Sequence, residues 1–220
     1  GGATGGGPIA LSADTGHIVW APAGAAVSFS TDGGSSWTAS SGIPAGLEPV
    51  ADPHADAVFY AYDKINGSVY KSTDGGESFT VSASGLPVLD TWQDGGKLIP
   101  VPARPGHLWL ALGKNGLYRS TDGAETFQQI NSVAAAYLVS AVRAAPAADY
   151  PAIFIHGVTG GAEGLYRSDN MGGTWQKINN NEQEWGGYYT CMSADPNRYG
   201  RLYLGTQGRG LLYGDMEGEG

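Results

Sequence analysis

An eight-residue signature that recurs four times at near-constant spacing constrains this chain more than any other feature. The copies are Ser30-Thr-Asp-Gly-Gly-Ser-Ser-Trp37, Ser72-Thr-Asp-Gly-Gly-Glu-Ser-Phe79, Ser120-Thr-Asp-Gly-Ala-Glu-Thr-Phe127 and Ser168-Asp-Asn-Met-Gly-Gly-Thr-Trp175, and they begin 42, 48 and 48 residues apart. A period of this size marks an architecture that repeats one supersecondary unit. The shared pattern, Ser-x-Asp-x-Gly-x-x-aromatic, is the Asp-box. The third-position carboxylates Asp32, Asp74 and Asp122 can accept hydrogen bonds from the backbone N–H groups of their own turn, and Asn170 can do the same. A fifth-position glycine permits positive φ. Ala124 stands there in the third copy, which predicts a strained or differently shaped hairpin. Turn chemistry alone explains these Asp residues, so they read as structural rather than catalytic.

Each signature sits inside a four-strand pattern of β-branched and aromatic residues without helical periodicity. In the second unit the strands are expected at Glu48–Pro53, Val58–Asp63, Ser68–Thr73 and Phe79–Ala83. Gly (36 residues) and Pro (12) supply the many tight turns that such a pattern requires. The fold class is all-β, a β-propeller of radially arranged sheets. Four full blades are expected at approximately residues 1–46, 47–94, 95–135 and 136–186, with a partial fifth at 187–220. The fifth has three strands and no Asp-box, and a strand from elsewhere would complete it. The chain opens without a signal peptide and runs directly into a strand, so it reads as the interior of a longer protein.

The formal charge of −9 argues against nucleic acid and against anionic membrane surfaces, and no apolar run reaches spanning length. Cys191 is the single cysteine, so no internal disulfide forms, and it reads as a small buried apolar side chain. His17, His54, His107 and His156 lack metal-ligand spacing. No glycine-rich stretch precedes a helix, so no cofactor or metal is expected.

Strands alternate in direction, which places the Asp-boxes on one face of the propeller and the loops after second and fourth strands on the other. That opposite face carries residues 41–47, 84–96, 131–136 and 179–187, with shorter loops at 64–67, 114–116, 159–163 and 207–210. Two long loops combine aromatics with amides and acids: Leu89-Asp-Thr-Trp92-Gln-Asp94-Gly and Glu182-Gln-Glu-Trp185-Gly-Gly-Tyr188. Indoles flanked by such groups suit sugar rings, whose C–H faces stack while their hydroxyls take hydrogen bonds. Anchoring of each loop by its own Trp is the alternative. The substrate-binding candidates are Trp92, Asp94, Gln183, Trp185 and Tyr188. Trp20 and Trp109 fall inside second strands and read as core.

The stretches TGGGPIALSADTGHIVWAPAGAAVSFSTDGGSSWTASSGIPAG, FYAYDKINGSVYKSTDGGESF, SGLPVLD, LWLALGKNGLYRSTDGAETF, GLYRSDNMGGTW and RLYLGTQGRGLLYGD follow one another in an order that resembles the C-terminal part of glycoside hydrolase family 74. This family comprises the xyloglucanases and the oligoxyloglucan reducing-end-specific cellobiohydrolases. The resemblance implies two seven-bladed propellers facing each other across a cleft that binds xyloglucan or a related β-glucan. Hydrolysis is then inverting, by one Asp from each propeller. Neither Asp carries over: the family's Gly-Asp-x-x-Gly-Phe type motif is absent here, so no catalytic residue is expected in this segment. Where the family's late loop tends to read Asp-Asp-x-His-x-aromatic-Gly, this chain has Asn180 to Gly186, with Gln183 at the His position and Trp185 at the aromatic. The resemblance makes the chain one wall of the cleft of a secreted enzyme whose N-terminal segment is its partner. Sortilin-like receptors and assembly factors also use Asp-box propellers, as non-catalytic modules. A sialidase would need three clustered arginines and a Tyr-Glu pair, whereas most arginines here lie beside strand-one turns or in third strands.

Overall fold

The computed structural model describes residues 6–13, 16–90, 95–145, 148–180, 189–195 and 197–215. The first sheet contains β1 (Ile9–Leu11), β2 (Ile18–Trp20), β3 (Ser28–Ser30) and β4 (Thr38–Ala39). The second contains β5 (Pro49–Ala51), β6 (Phe59–Asp63), β7 (Ser68–Ser72) and β8 (Thr80–Ala83). In the third are β9 (Lys97–Pro100), β10 (Leu108–Ala111), β11 (Leu117–Ser120) and β12 (Gln128–Gln129). The fourth is taller: β13 (Val133–Ala144), β14 (Pro151–Thr159), β15 (Ala162–Ser168) and β16 (Gln176–Lys177). The fifth contains β17 (Tyr189–Ala194), β18 (Leu202–Thr206) and β19 (Gly210–Gly214).

Every pairing within these sheets is antiparallel and sequential. First strands of successive sheets touch one another: β1 meets β5, β5 meets β9, β9 meets β13 and β13 meets β17. They therefore lie innermost, and the sheets radiate from them as propeller blades. Among the described residues the core is divided into four apolar seams, each filling the gap between two neighbouring blades. A blade between two neighbours is buried on both faces, so its second strand is mostly apolar and buried rather than alternating. β6 (Phe-Tyr-Ala-Tyr-Asp) and β10 (Leu-Trp-Leu-Ala) are buried at every position.

The arrangement has five blades rather than four and a fragment, and the fifth has the three strands expected of it among the described residues. Ala194, Leu202 and Leu204 of the fifth sheet close a seam of their own against Val142, Ala152, Phe154 and Leu165 of the fourth. Two further expectations are corrected. Residues 133–136, expected as loop, are strand: Val133, Ala135 and Ala136 pair with β14, and Ala136 exchanges backbone hydrogen bonds with Gly113 of blade three. Cys191, expected to be buried, is exposed. It lies on an innermost strand, and among the described residues no further blade covers the outer side of blade five.

The four signature hairpins share one hydrogen-bond pattern. The serine hydroxyl donates to the Asp or Asn side chain two residues on, at 2.7–3.0 Å. The same oxygen accepts the backbone N–H of the fifth residue, at 2.9–3.1 Å. The seventh residue closes the turn: the N–H of Ser36, Ser78, Thr126 or Thr174 donates to the third-position side chain. Its hydroxyl also hydrogen-bonds there. This seventh position is Ser or Thr in every copy, a signal the pattern Ser-x-Asp-x-Gly-x-x-aromatic leaves out. Ala124 keeps the shared hydrogen bonds and has φ +70°, so the third hairpin is strained but not reshaped.

These hairpins make stability sensitive to acid. Asp32 is held at about 2, down from 3.8, first by the N–H of Ser36, then by the hydroxyls of Ser36 and Ser30. Burial pushes Asp74 and Asp122 up, but the hydrogen bonds from Ser78 and Ser72, and from Thr126 and Ser120, outweigh it and lower both. A depressed carboxylate stabilises the fold fully above its unfolded value, and that stabilisation is lost as pH falls through the folded value. The loss for Asp32 runs from about pH 4 down to about pH 2. Asn170 builds the same turn without a titrating group. A triple Asp32→Asn, Asp74→Asn, Asp122→Asn chain is therefore expected to fold, with a urea midpoint that falls less steeply between pH 5 and pH 2 than the parent's.

Candidate functional site

The four signature turns lie on one end of the blades, so the opposite end carries the short second-to-third strand turns and the longer connections from each fourth strand to the next blade. Blade four reaches furthest in that direction, because β14 and β15 continue to the Thr159–Ala162 hairpin. Along one face of β14 the side chains run Ala152, Phe154, His156, Val158. The first two belong to the seam with blade five. His156 thus extends this seam toward the long-loop end, replacing an apolar residue with a polar one.

His156 is buried, and its Nε2 lies 3.1 Å from Oε1 of Glu163, whose side chain is 58% exposed. Glu163 pairs in register with Val158 and so shares the face of His156. Two tyrosines flank the imidazole. Tyr189, on the first strand of blade five, meets it edge-on with centroids 4.6 Å apart. Tyr137, on the first strand of blade four, lies at 5.3 Å and a 42° tilt. Both tyrosines sit where the strand register shifts, between Ala136 and Leu138 and between Tyr189 and Cys191. Bulges of this kind re-aim a side chain out of the regular ladder. Burial, and next the charge of Glu163, push the Tyr189 phenol up. Tyr189 therefore stays neutral and remains a hydrogen-bond donor across the physiological range.

The cluster offers the Tyr189 phenol, the exposed Glu163 carboxylate and aromatic ring surface. This is a set for binding a neutral polar ligand. The candidates read from the sequence, Trp92, Asp94, Gln183, Trp185 and Tyr188, all lie outside the described residues. Glu163 ends the 159–163 loop expected on this face, and the fold brings it into a cluster whose other members were missed. His156 reads in sequence as an isolated histidine, and Tyr137 and Tyr189 as strand residues. Only the shared face of β14 and β15 could have hinted at the Glu163–His156 pair. Trp109 is fully buried, as expected of a core residue, and its Nε1–H donates to the Tyr150 hydroxyl.

No protein-family model matches the chain. It is 40% identical over 212 residues to the xyloglucanase Xgh74A of Acetivibrio thermocellus, covering 96% of this chain and 24% of that enzyme. The chain is homologous to part of the family 74 xyloglucanases. A Paenibacillus xyloglucanase is 38% identical over 224 residues, covering 99% of this chain and 21% of its own length. The solved structure of the family 74 xyloglucanase of Xanthomonas campestris superposes with a TM-score of 0.86 at 32% identity, covering 98% of this chain and 31% of that one. This xyloglucanase homologue thus spans about a quarter of the length of the curated relatives it matches.

Proposed function

We propose that this chain is the C-terminal propeller portion of a secreted, inverting xyloglucan hydrolase, and that it forms one wall of the substrate cleft. The observation that carries the reading is the match along nearly the whole chain, in sequence and in backbone, to xyloglucanases about three to four times its length. The signature hairpins are Asp-boxes on the side away from the glycan, and further blades outside this chain complete a seven-bladed propeller. The loops bearing Trp92, Asp94, Gln183, Trp185 and Tyr188 line the cleft, where the indoles stack on sugar rings. The two catalytic Asp residues lie in the remainder of the enzyme. A polymeric substrate that cannot cross a membrane supports an extracellular site of action.

Inverting hydrolysis needs an acid for the leaving oxygen and a base for water on opposite sides of the scissile bond. A wall without either group binds and orients, and that positioning raises the rate only when the other wall is present. The chain alone is expected to leave xyloglucan uncut. Mixed with the remaining portion of the enzyme, it is expected to restore release of reducing ends. Hydrolysis by the chain alone would sink the assignment of the acid and base elsewhere. Binding without hydrolysis in the reconstituted mixture would favour a non-catalytic binding module.

A further inference from the structure

We infer that Glu163, Tyr137 and Tyr189 form a subsite for one neutral sugar ring at the junction of blades four and five, and that His156 is the positioning residue that sets the Glu163 carboxylate. The inference rests on the proposed glycan-binding role of this end of the propeller and names the residues that perform it.

The geometry selects the ligand class. Glu163 is the exposed member of the cluster, and an acidic chain of formal charge −9 with a carboxylate at the mouth of the site repels an anionic ligand. The imidazole beside it takes up one carboxylate oxygen, Oε1, which lowers the pull on a cation. Among the described residues Oε2 has no hydrogen bond of its own, and the Oε1 contact fixes its direction as an acceptor. A carboxylate held in this way accepts a sugar hydroxyl with a charge-assisted hydrogen bond. The neutral phenol of Tyr189 can donate to a ring or hydroxyl oxygen, and the two tyrosine rings, with centroids 4.6 and 5.3 Å from that of the imidazole, supply apolar surface for C–H groups.

The position of the cluster supports the same reading. A polar His is buried where the blade-four face would otherwise continue the apolar seam of Phe154 and Ala152. Burying a polar group has a cost unless it is paired, and the contact with Glu163 offsets that cost for His156. Two register shifts bring tyrosines from two different blades to the same imidazole. Residues 52 positions apart in sequence, Tyr137 and Tyr189, thus flank one side chain.

The test is calorimetric titration of the chain with a xyloglucan oligosaccharide that has a four-glucose backbone. Glu163→Ala is expected to weaken binding roughly ten- to a hundredfold, the worth of one charge-assisted hydrogen bond. Glu125→Ala, on the third hairpin at the opposite end, is expected to bind as the parent does and serves as the control. His156→Gln keeps an N–H donor and is expected to retain affinity to within about threefold, whereas His156→Leu is expected to lose as much as Glu163→Ala. Thermal unfolding of each variant separates loss of binding from loss of fold. A purely structural His156 would make His156→Gln and His156→Leu differ in melting but not in affinity. Affinity unchanged in Glu163→Ala, or no binding by the parent, overturns the subsite. Hydrolysis in the reconstituted enzyme with unchanged affinity in Glu163→Ala would remove the subsite and leave the enzymatic reading standing. Glu163-dependent binding without hydrolysis would do the reverse.

Discussion

Replacing Gly76 with alanine is expected to destabilise the fold by about 2–5 kcal/mol, the sum of overpacking and of forcing a β-carbon into positive φ. Gly76 is the fifth residue of the second signature, with φ +93°. A β-carbon there would stand 2.3 Å from Cγ2 of Val19 and 3.3 Å from Cβ of Phe29, both in blade one. Val19 is fully buried and β-branched, so its χ1 is restricted and it yields little room. The hairpin must therefore lift away from its neighbour, which opens the seam between blades one and two. The equivalent residue of the third hairpin shows the difference that surroundings make. Ala124 already holds φ +70° and is fully buried in the seam between blades two and three. Its methyl group is accommodated, and burial of one such group contributes about 0.8 kcal/mol. Ala124→Gly relieves the φ strain and forfeits that packing, so it is expected to change stability by less than about 1 kcal/mol. Urea midpoints of the two variants check both statements, and a Gly76→Ala chain as stable as the parent would show that the seam yields freely.

Trp109→Ala is expected to have an effect of similar size, about 3–5 kcal/mol, as for other large aromatic truncations in a core. The indole is fully buried in the seam between blades three and four, beside Ile153, Ile155 and Tyr166. Its loss leaves a cavity between two rigid sheets and removes the donor to the Tyr150 hydroxyl. It also strips the ring beneath the Arg119 guanidinium, which reaches across to the Met171 carbonyl of the next hairpin. Trp37→Ala is the comparison. Trp37 is 37% exposed at the rim of blade one, where it meets Trp20 edge-on and donates to the Gly34 carbonyl. Its truncation is expected to cost about 1 kcal/mol. Denaturant unfolding of the two variants reads the ratio directly. Equal losses would mean that the seams between blades do not carry the stability of the propeller.

The local chemistry of the turns is written in consecutive residues. Ser72, Asp74, Gly76 and Ser78 find their partners within eight positions, so spacing alone predicts the hairpin and its repeat. The strands follow the same logic where side chains announce them, as in Phe59–Asp63. They fail to do so at residues 133–136, where three alanines follow Val133 and have weak β preference. Pairing there is imposed from outside, by the length of β14 and by the backbone of Gly113. The exposure of Cys191 is equally invisible in sequence, since it depends on whether another blade covers that side of its strand.

The amino-acid sequence by itself determined the repeat, the hairpins and which ends of the blades carry the long connections, because each rests on contacts between near neighbours. Tertiary structure alone decided that Tyr137, His156, Glu163 and Tyr189 meet. Their contacts join two sheets across a seam, and a one-residue change of register in either first strand would turn a tyrosine away.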